Sequence, residues 1–225
     1  MNKENGSITS SKAHLFFDNF TNLAEENIKL DIYKFKKGAK KFTNKITELI
    51  SNVISGLTIL DEKDESQKEY YRIDVIGYSF LDEDDKGFEE AKADLSQAPS
   101  LWSLDVAVEH ENNHKGWKDE LVKLCYIRCP LRVVIGYNYY DMRDDPKIGD
   151  VQKVKYSMEL ISQICSKTNS SVIENGQELL IILGNCQSKD GQGNYKDFDY
   201  RGYIIYNEAG KLNYKIIPSN RDKGA

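Results

Sequence analysis

Histidine and cysteine are both scarce in this chain, with three and four copies among 225 residues. The cysteines, Cys125, Cys129, Cys165 and Cys186, stand in helical or apolar patterns rather than in tight pairs. A zinc site wants close ligand pairs with a histidine beside them, so these thiols read as small buried hydrophobes. No apolar run approaches the roughly 20 residues that span a bilayer. The opening Met1-Asn2-Lys3-Glu4-Asn5-Gly6 lacks the apolar core of a signal peptide. The chain is therefore expected in the cytoplasm, with no membrane partner. Positive charge is not in excess either. A formal net charge of −5 argues against indiscriminate coating of nucleic acid, although it leaves room for a local basic groove. Neither an internal repeat nor a coiled-coil heptad is present.

What the chain does have is a core. Hydrophobic residues make up 40% and aromatics 11%, and the 14 tyrosines outnumber Phe and Trp together. That supports one domain over residues 13 to 225, preceded by a polar segment, residues 1 to 12, that reads as disordered. From about His14 to Gly56 the apolar spacing is helical, with Gly38 as the expected break between two helices. Within it, Lys29, Lys34, Lys36, Lys37, Lys40, Lys41 and Lys45 cluster in a stretch whose single acid is Asp31. A lysine run is usually a solvated face, but this one is also the best candidate for phosphate contacts, above all Lys34, Lys36, Lys37, Lys40 and Lys41.

Residues 61 to 69 read as an acidic loop and residues 70 to 80 as a strand rich in β-branched and aromatic side chains. A second strand covers residues 101 to 111, and Trp117, Leu121, Leu124, Cys125 and Arg128 mark an amphipathic helix before Pro130. Residues 131 to 137 form a nearly continuous apolar run, typical of a buried strand. A polar loop around Pro146 leads to a helix marked by Val151, Val154, Met158, Ile161 and Cys165. Three strands follow, at residues 178 to 183, 200 to 206 and 212 to 217, with a Gly/Asp/Asn-rich loop at 187 to 199. The order predicts an α/β layer with a mixed central sheet.

The sharpest chemical signal is Asp105-Val106-Ala107-Val108-Glu109-His110-Glu111. As a strand it sets Asp105, Glu109 and Glu111 on one face and Trp102, Leu104, Val106 and Val108 on the other. The same stretch spells His110-Glu111-Asn112-Asn113-His114, the HExxH pattern of zinc metalloproteases. That reading needs a helix carrying both histidines one turn apart. Strand alternation before His110, poor helix formers after Glu111 and the lack of a third histidine downstream all speak against it. Asp74 is the single acid of the preceding strand, so pairing of the two strands would bring it opposite the Glu109 end. An Asp from one strand and Glu-x-Glu from the next can hold Mg²⁺ through oxygen ligands. Asp105 lies further from the strand end and reads better as a surface or sheet-edge acid.

Asp74, then Glu109-His110-Glu111, then a helix and an apolar strand together resemble the PD-(D/E)xK nuclease superfamily, the restriction-endonuclease-like fold. The resemblance covers residues 40 to 165 and leaves a helical N-terminal and a β-rich C-terminal addition. It implies Mg²⁺- or Mn²⁺-dependent hydrolysis of phosphodiester bonds in DNA, as in defence or mobile-element systems; a homodimer would suit double-strand cleavage, although no seam in the sequence demands one. Asp74, Glu109 and the His110 main-chain carbonyl would hold the metal, and Glu111 would orient the attacking water. The chain departs from the family at two points. Ile73 replaces the proline before the first acid, and Glu111 stands where lysine is expected. Some members use Glu-x-Glu, and others draw a lysine from the next helix, here Lys118 or Lys123. Glu48 is the candidate for a further acid from the helix before the first strand. The principal alternative is a non-catalytic protein- or nucleic-acid-interaction module on the same scaffold, since acids on an exposed strand face can simply be solvated.

Overall fold

The computed structural model describes residues 11–27, 35–59, 62–63, 65–70, 73–80, 102–112, 116–138, 146–189, 191 and 195–218. Two helices open the chain, α1 (Lys12–Asn27) and α2 (Phe35–Gly56), followed by the short strands β1 (Thr58–Ile59) and β2 (Glu62–Lys63). Then come β3 (Glu65–Tyr70), β4 (Ile73–Phe80), β5 (Trp102–His110), α3 (Trp117–Cys125) and β6 (Leu131–Asn138). The remaining elements are α4 (Pro146–Thr168), β7 (Glu178–Lys189), β8 (Tyr195–Glu208) and β9 (Lys211–Ile217). None of the described helices is long and apolar enough to cross a membrane.

Strands β3 to β9 form one seven-stranded sheet in which sequence order equals spatial order. β5, β6 and β7 run parallel, and every other pairing in that sheet is antiparallel. Parallel neighbours need crossovers, and right-handed crossovers that step the same way twice must fall on the same face. Accordingly α3 and α4, the β5–β6 and β6–β7 connections, share a face packed on Ala107, Val134, Ile181 and Tyr203. α1 and α2 cover the opposite face, over Val75, Val106, Val108, Val133, Ile182 and Ile204. With helices on both sides, all eight residues of β6 are buried, which accounts for its unbroken apolar run.

Helix α1 contributes Phe16, Phe17 and Phe20, each fully buried, at roughly 1.5–3 kcal/mol per side chain of this size. Two glycines permit the close approach of this layer. A Cβ on Gly202 would stand 2.8 Å from the Phe17 ring, and one on Gly77 would stand 2.7 Å from Ile54 on α2. β8 and β4 can therefore lie directly under the two helices.

Several local expectations are corrected. Gly38 does not break the helix but lies within α2, because burial of Phe42, Ile46, Leu49, Ile50 and Val53 outweighs one glycine. The polar stretch expected as a loop includes the edge strand β3, paired with β4. An edge strand can stay polar, since charged side chains there block further pairing. The second half of the polar loop expected around Pro146 is helical instead, because α4 starts at Pro146, where a missing N–H costs nothing in the first turn; residues 141–145 lie outside the described residues. The C-terminal strands are longer than expected and complete the central sheet. β7 and β8 continue to pair through Ser188↔Lys196 and Lys189↔Tyr195, where a loop was expected.

Candidate metal centre

The β4–β5 register brings the first two acids together. Val75 pairs with Val108, so Asp74 stands abreast of Glu109 at the end of β5, as strand pairing predicted. Both belong to the face covered by α3. The His110 amide donates to Asp74 Oδ2 at 2.8 Å, locking the two strand ends to each other. Asp74 is half-buried, while Glu109 is fully buried.

Helix α3 closes the site. Its Trp117, Leu121, Leu124 and Cys125 face the core, with Trp117 seated on Gly136, where an added Cβ would stand 3.4 Å from that of Trp117. That anchoring turns Glu120 and Lys123, one turn apart, toward β4 and β5. Lys123 Nζ lies 2.8 Å from Glu109 Oε1 and also contacts Glu120 Oε2. Glu109 Oε2 meets no N–H or hydroxyl donor among the described residues, and the Glu109 and Asp74 carboxyls hydrogen-bond to each other when one of them holds a proton.

Burial and crowding set the protonation. Burial, with the negative charges of Asp74 and Glu120, pushes Glu109 up from 4.5 to about 8, against the opposing pull of Lys123. Asp74 is also raised, first by burial and then by Glu120, although the His110 amide and Lys123 favour its anion. Burial works against the Lys123 ammonium, but its contacts with Glu109 and Glu120 outweigh this and leave its pKa above the ordinary value. Buried carboxyls in contact need a proton or a cation between them. Without a cation, Glu109 keeps its proton at neutral pH. With one, both carboxyls can ionise.

The other expected residues separate from this cluster. Glu111 does not join it. Its amide donates to Ile135 O at 2.9 Å, and its Oε2 would stand 2.5 Å from a Cβ on Gly116, the residue that opens α3. A carboxylate there interacts favourably with the helix dipole, so the strand's alternation yields to the turn into α3. Lys118 is exposed on α3, whereas Lys123 meets Glu109, so the helix supplies Lys123 and not Lys118. Glu48 is exposed on α2, whose buried side packs on the opposite face of the sheet from Glu109.

Asp105 is buried at 8% exposure, not a surface acid, and its Oδ2 has no hydrogen-bond partner among the described residues. The HExxH reading fails on geometry, since residues 102–110 are strand and 111–112 are not helical. The His110 imidazole points into the other layer. Nε2 lies 3.0 Å from Tyr137 Oη, and burial lowers its pKa from 6.5 to about 3. Its main chain, by contrast, lies at Asp74. Lys34 lies outside the described residues, and Lys36, Lys37, Lys40 and Lys41 lie in α2 with their side chains outside them. All four cysteines are free thiols, Cys165 half-buried and the other three buried.

Glu120 went unrecognised in the sequence, although its spacing of three from Lys123 was a usable signal. A buried polar hub at Asp150 also went unrecognised. Asn138 Nδ2 donates to Asp150 Oδ1 at 2.6 Å, while Asn185 Nδ2 and the Tyr203 hydroxyl donate to Oδ2 at 3.0 and 2.8 Å. The asparagines close the apolar runs of β6 and β7, which was the sign available. Asp150 accepts at both oxygens, so this hub ties α4 to β6, β7 and β8.

Among the described residues, no three His, Cys, Asp or Glu side chains converge in ligand geometry. The Asp74–Glu109 pair offers two carboxylates, a number that suits Mg²⁺, which keeps several waters and takes the rest of its shell from a phosphate. No family model, curated protein or solved structure matches the chain.

Proposed function

We propose that this protein is a nuclease that hydrolyses phosphodiester bonds, with DNA as the preferred substrate, using Mg²⁺ or Mn²⁺ held by Asp74 and Glu109. The observation that carries the reading is Glu109. It is a fully buried carboxyl whose one oxygen meets Lys123 and whose other lies in the acid cluster without an N–H or hydroxyl donor among the described residues. A buried acid placed in that way keeps its proton at neutral pH, and a cation joining Asp74 and Glu109 would let both ionise, which is the working state proposed here.

The cation would place positive charge against the scissile phosphate and acidify a water. The chain's own groups do the rest. The His110 amide fixes Asp74, and the β4–β5 pairing fixes Glu109. Lys123 presents a half-exposed ammonium beside Glu109, suited to an anionic phosphate oxygen as charge develops there. The lysine-rich start of α2 leads into Phe42, whose ring lies 6.0 Å from that of His110, and Thr43 accepts from Asn112 at 2.9 Å. These contacts hold the described part of α2 against the end of β5, on the face of the sheet opposite Glu109.

The test is conversion of supercoiled plasmid and degradation of single-stranded DNA with Mg²⁺ or Mn²⁺, comparing wild type with Glu109→Ala. Metal-dependent cleavage lost in the variant is the expected result. Equal cleavage by both proteins would remove the site, and inactivity of the wild type on every substrate would favour a non-catalytic module.

A further inference from the structure

We infer that the centre takes a single divalent cation, and that Lys123, held by Glu120, fills the position and charge that a second cation would have. This rests on the metal reading above and adds the stoichiometry and a role for Glu120. In two-metal sites a carboxylate bridges cations about 3.5–4 Å apart. Glu109, abreast of Asp74 and against Lys123, is the carboxylate that would bridge two cations here, but one of its sides is already occupied. Oε1 meets the Lys123 ammonium at 2.8 Å, and the remaining oxygen, which meets no N–H or hydroxyl donor among the described residues, shares only a carboxyl proton with Asp74 that one cation would replace.

Charge balance gives the same answer. Ionised Asp74, Glu109 and Glu120 carry three negative charges and Lys123 one positive charge. The remaining two negative charges match one divalent ion.

Glu120 then has a specific task. A cation entering at Oε2 draws charge from Glu109 and weakens the hold of Glu109 on Lys123. Glu120, one turn away on the same helix and in contact with Nζ, keeps the ammonium in place. It is a positioning residue. Unlike a metal, an ammonium cannot accept a water as ligand, but it can donate hydrogen bonds to a phosphate oxygen. The chain thereby keeps the second positive charge without a second binding equilibrium.

The experiment is titration of the metal-free protein with MnCl₂ alone, read by calorimetry and by the signal of free Mn²⁺ in electron paramagnetic resonance. Wild type should bind one Mn²⁺ per chain. Lys123→Met, checked for folding by circular dichroism, should bind two, and Lys123→Arg should return to one. Glu120→Gln should still bind one, about tenfold more weakly, because Lys123 then competes undivided for Glu109. Two ions in the wild type, no second ion in Lys123→Met, or unchanged affinity in Glu120→Gln would each overturn the inference. The first of these results leaves the nuclease reading standing. Absence of any Mn²⁺ binding by the wild type would end both.

Discussion

Lys123 on α3 reaches back to Glu109 on β5, Nζ to Oε1, at 2.8 Å. Lys118, on the same helix, is exposed. The two lysines therefore separate a role at the site from mere positive charge. Lys123→Met is expected to lower the cleavage rate by about 10²–10³, the usual cost of losing one preorganised electrostatic contact, while Lys118→Met stays within about threefold. Steady-state rates on a labelled duplex measure both. Equal losses would mean that α3 acts only through its overall charge.

Stability of the metal-free protein should depend on pH through two buried groups of opposite sign. Glu109 holds its proton to about pH 8 instead of 4.5, so its contribution is full below 4.5 and is lost as pH rises through 8. His110 titrates near 3 instead of 6.5, so its contribution is full above 6.5 and is lost as pH falls. The two offset each other between 4.5 and 6.5, leaving Glu109 dominant from 6.5 until Lys153, lowered by burial to about 8, begins to lose its proton and acts with the opposite sign. In that window stability should fall by up to about 1.4 kcal/mol per pH unit, and Glu109→Gln should flatten the fall. Urea denaturation in the presence of a chelator reads this, and a slope unchanged in the variant would show that Glu109 is not its source.

Glu111 should matter little to chemistry. Its carboxylate lies against Gly116 at the start of α3, so Glu111→Ala is expected to cost about 0.3–1 kcal/mol of stability through the lost helix-terminus interaction. Cleavage should remain within tenfold of wild type. A loss as deep as that of Glu109→Ala would return Glu111 to the centre.

Asp150 should matter much to stability. Removing its carboxylate deprives Asn138, Asn185 and Tyr203 of a shared buried acceptor. Asp150→Ala is expected to cost about 3–5 kcal/mol, as breaking a buried charged network does, with a smaller cost for Asp150→Asn. A loss below about 1 kcal/mol in denaturant would mean that the hub does not hold α4 on the sheet.

Local periodicity carried much of this arrangement. The alternation in β5 placed Glu109 on the face opposite Val108, and the unbroken apolar run of β6 marked a strand covered on both sides. Pairing of Asp74 with the Glu109 end followed from adjacent strands with one acid in the first. The fate of Glu111 was not legible, because alternation stops at the strand's last residue and the turn into α3 decides what comes next. The choice between Lys118 and Lys123 depends on how Trp117 seats on Gly136, a contact between residues remote in sequence. Polar β3 was missed because an edge strand has no need to alternate, and Asp150 because its partners come from three strands.

The most direct measurement of the central claim is single-turnover cleavage of an end-labelled duplex across a Mg²⁺ series by wild type and Asp74→Asn. Thermal melts should first show both to be folded. Cleavage by the wild type that saturates with Mg²⁺, with a loss of 10³-fold or more in the folded variant, is the outcome predicted from a cation held between Asp74 and Glu109. Cleavage that ignores Mg²⁺, or a folded Asp74→Asn protein that cuts as fast as wild type, would contradict it.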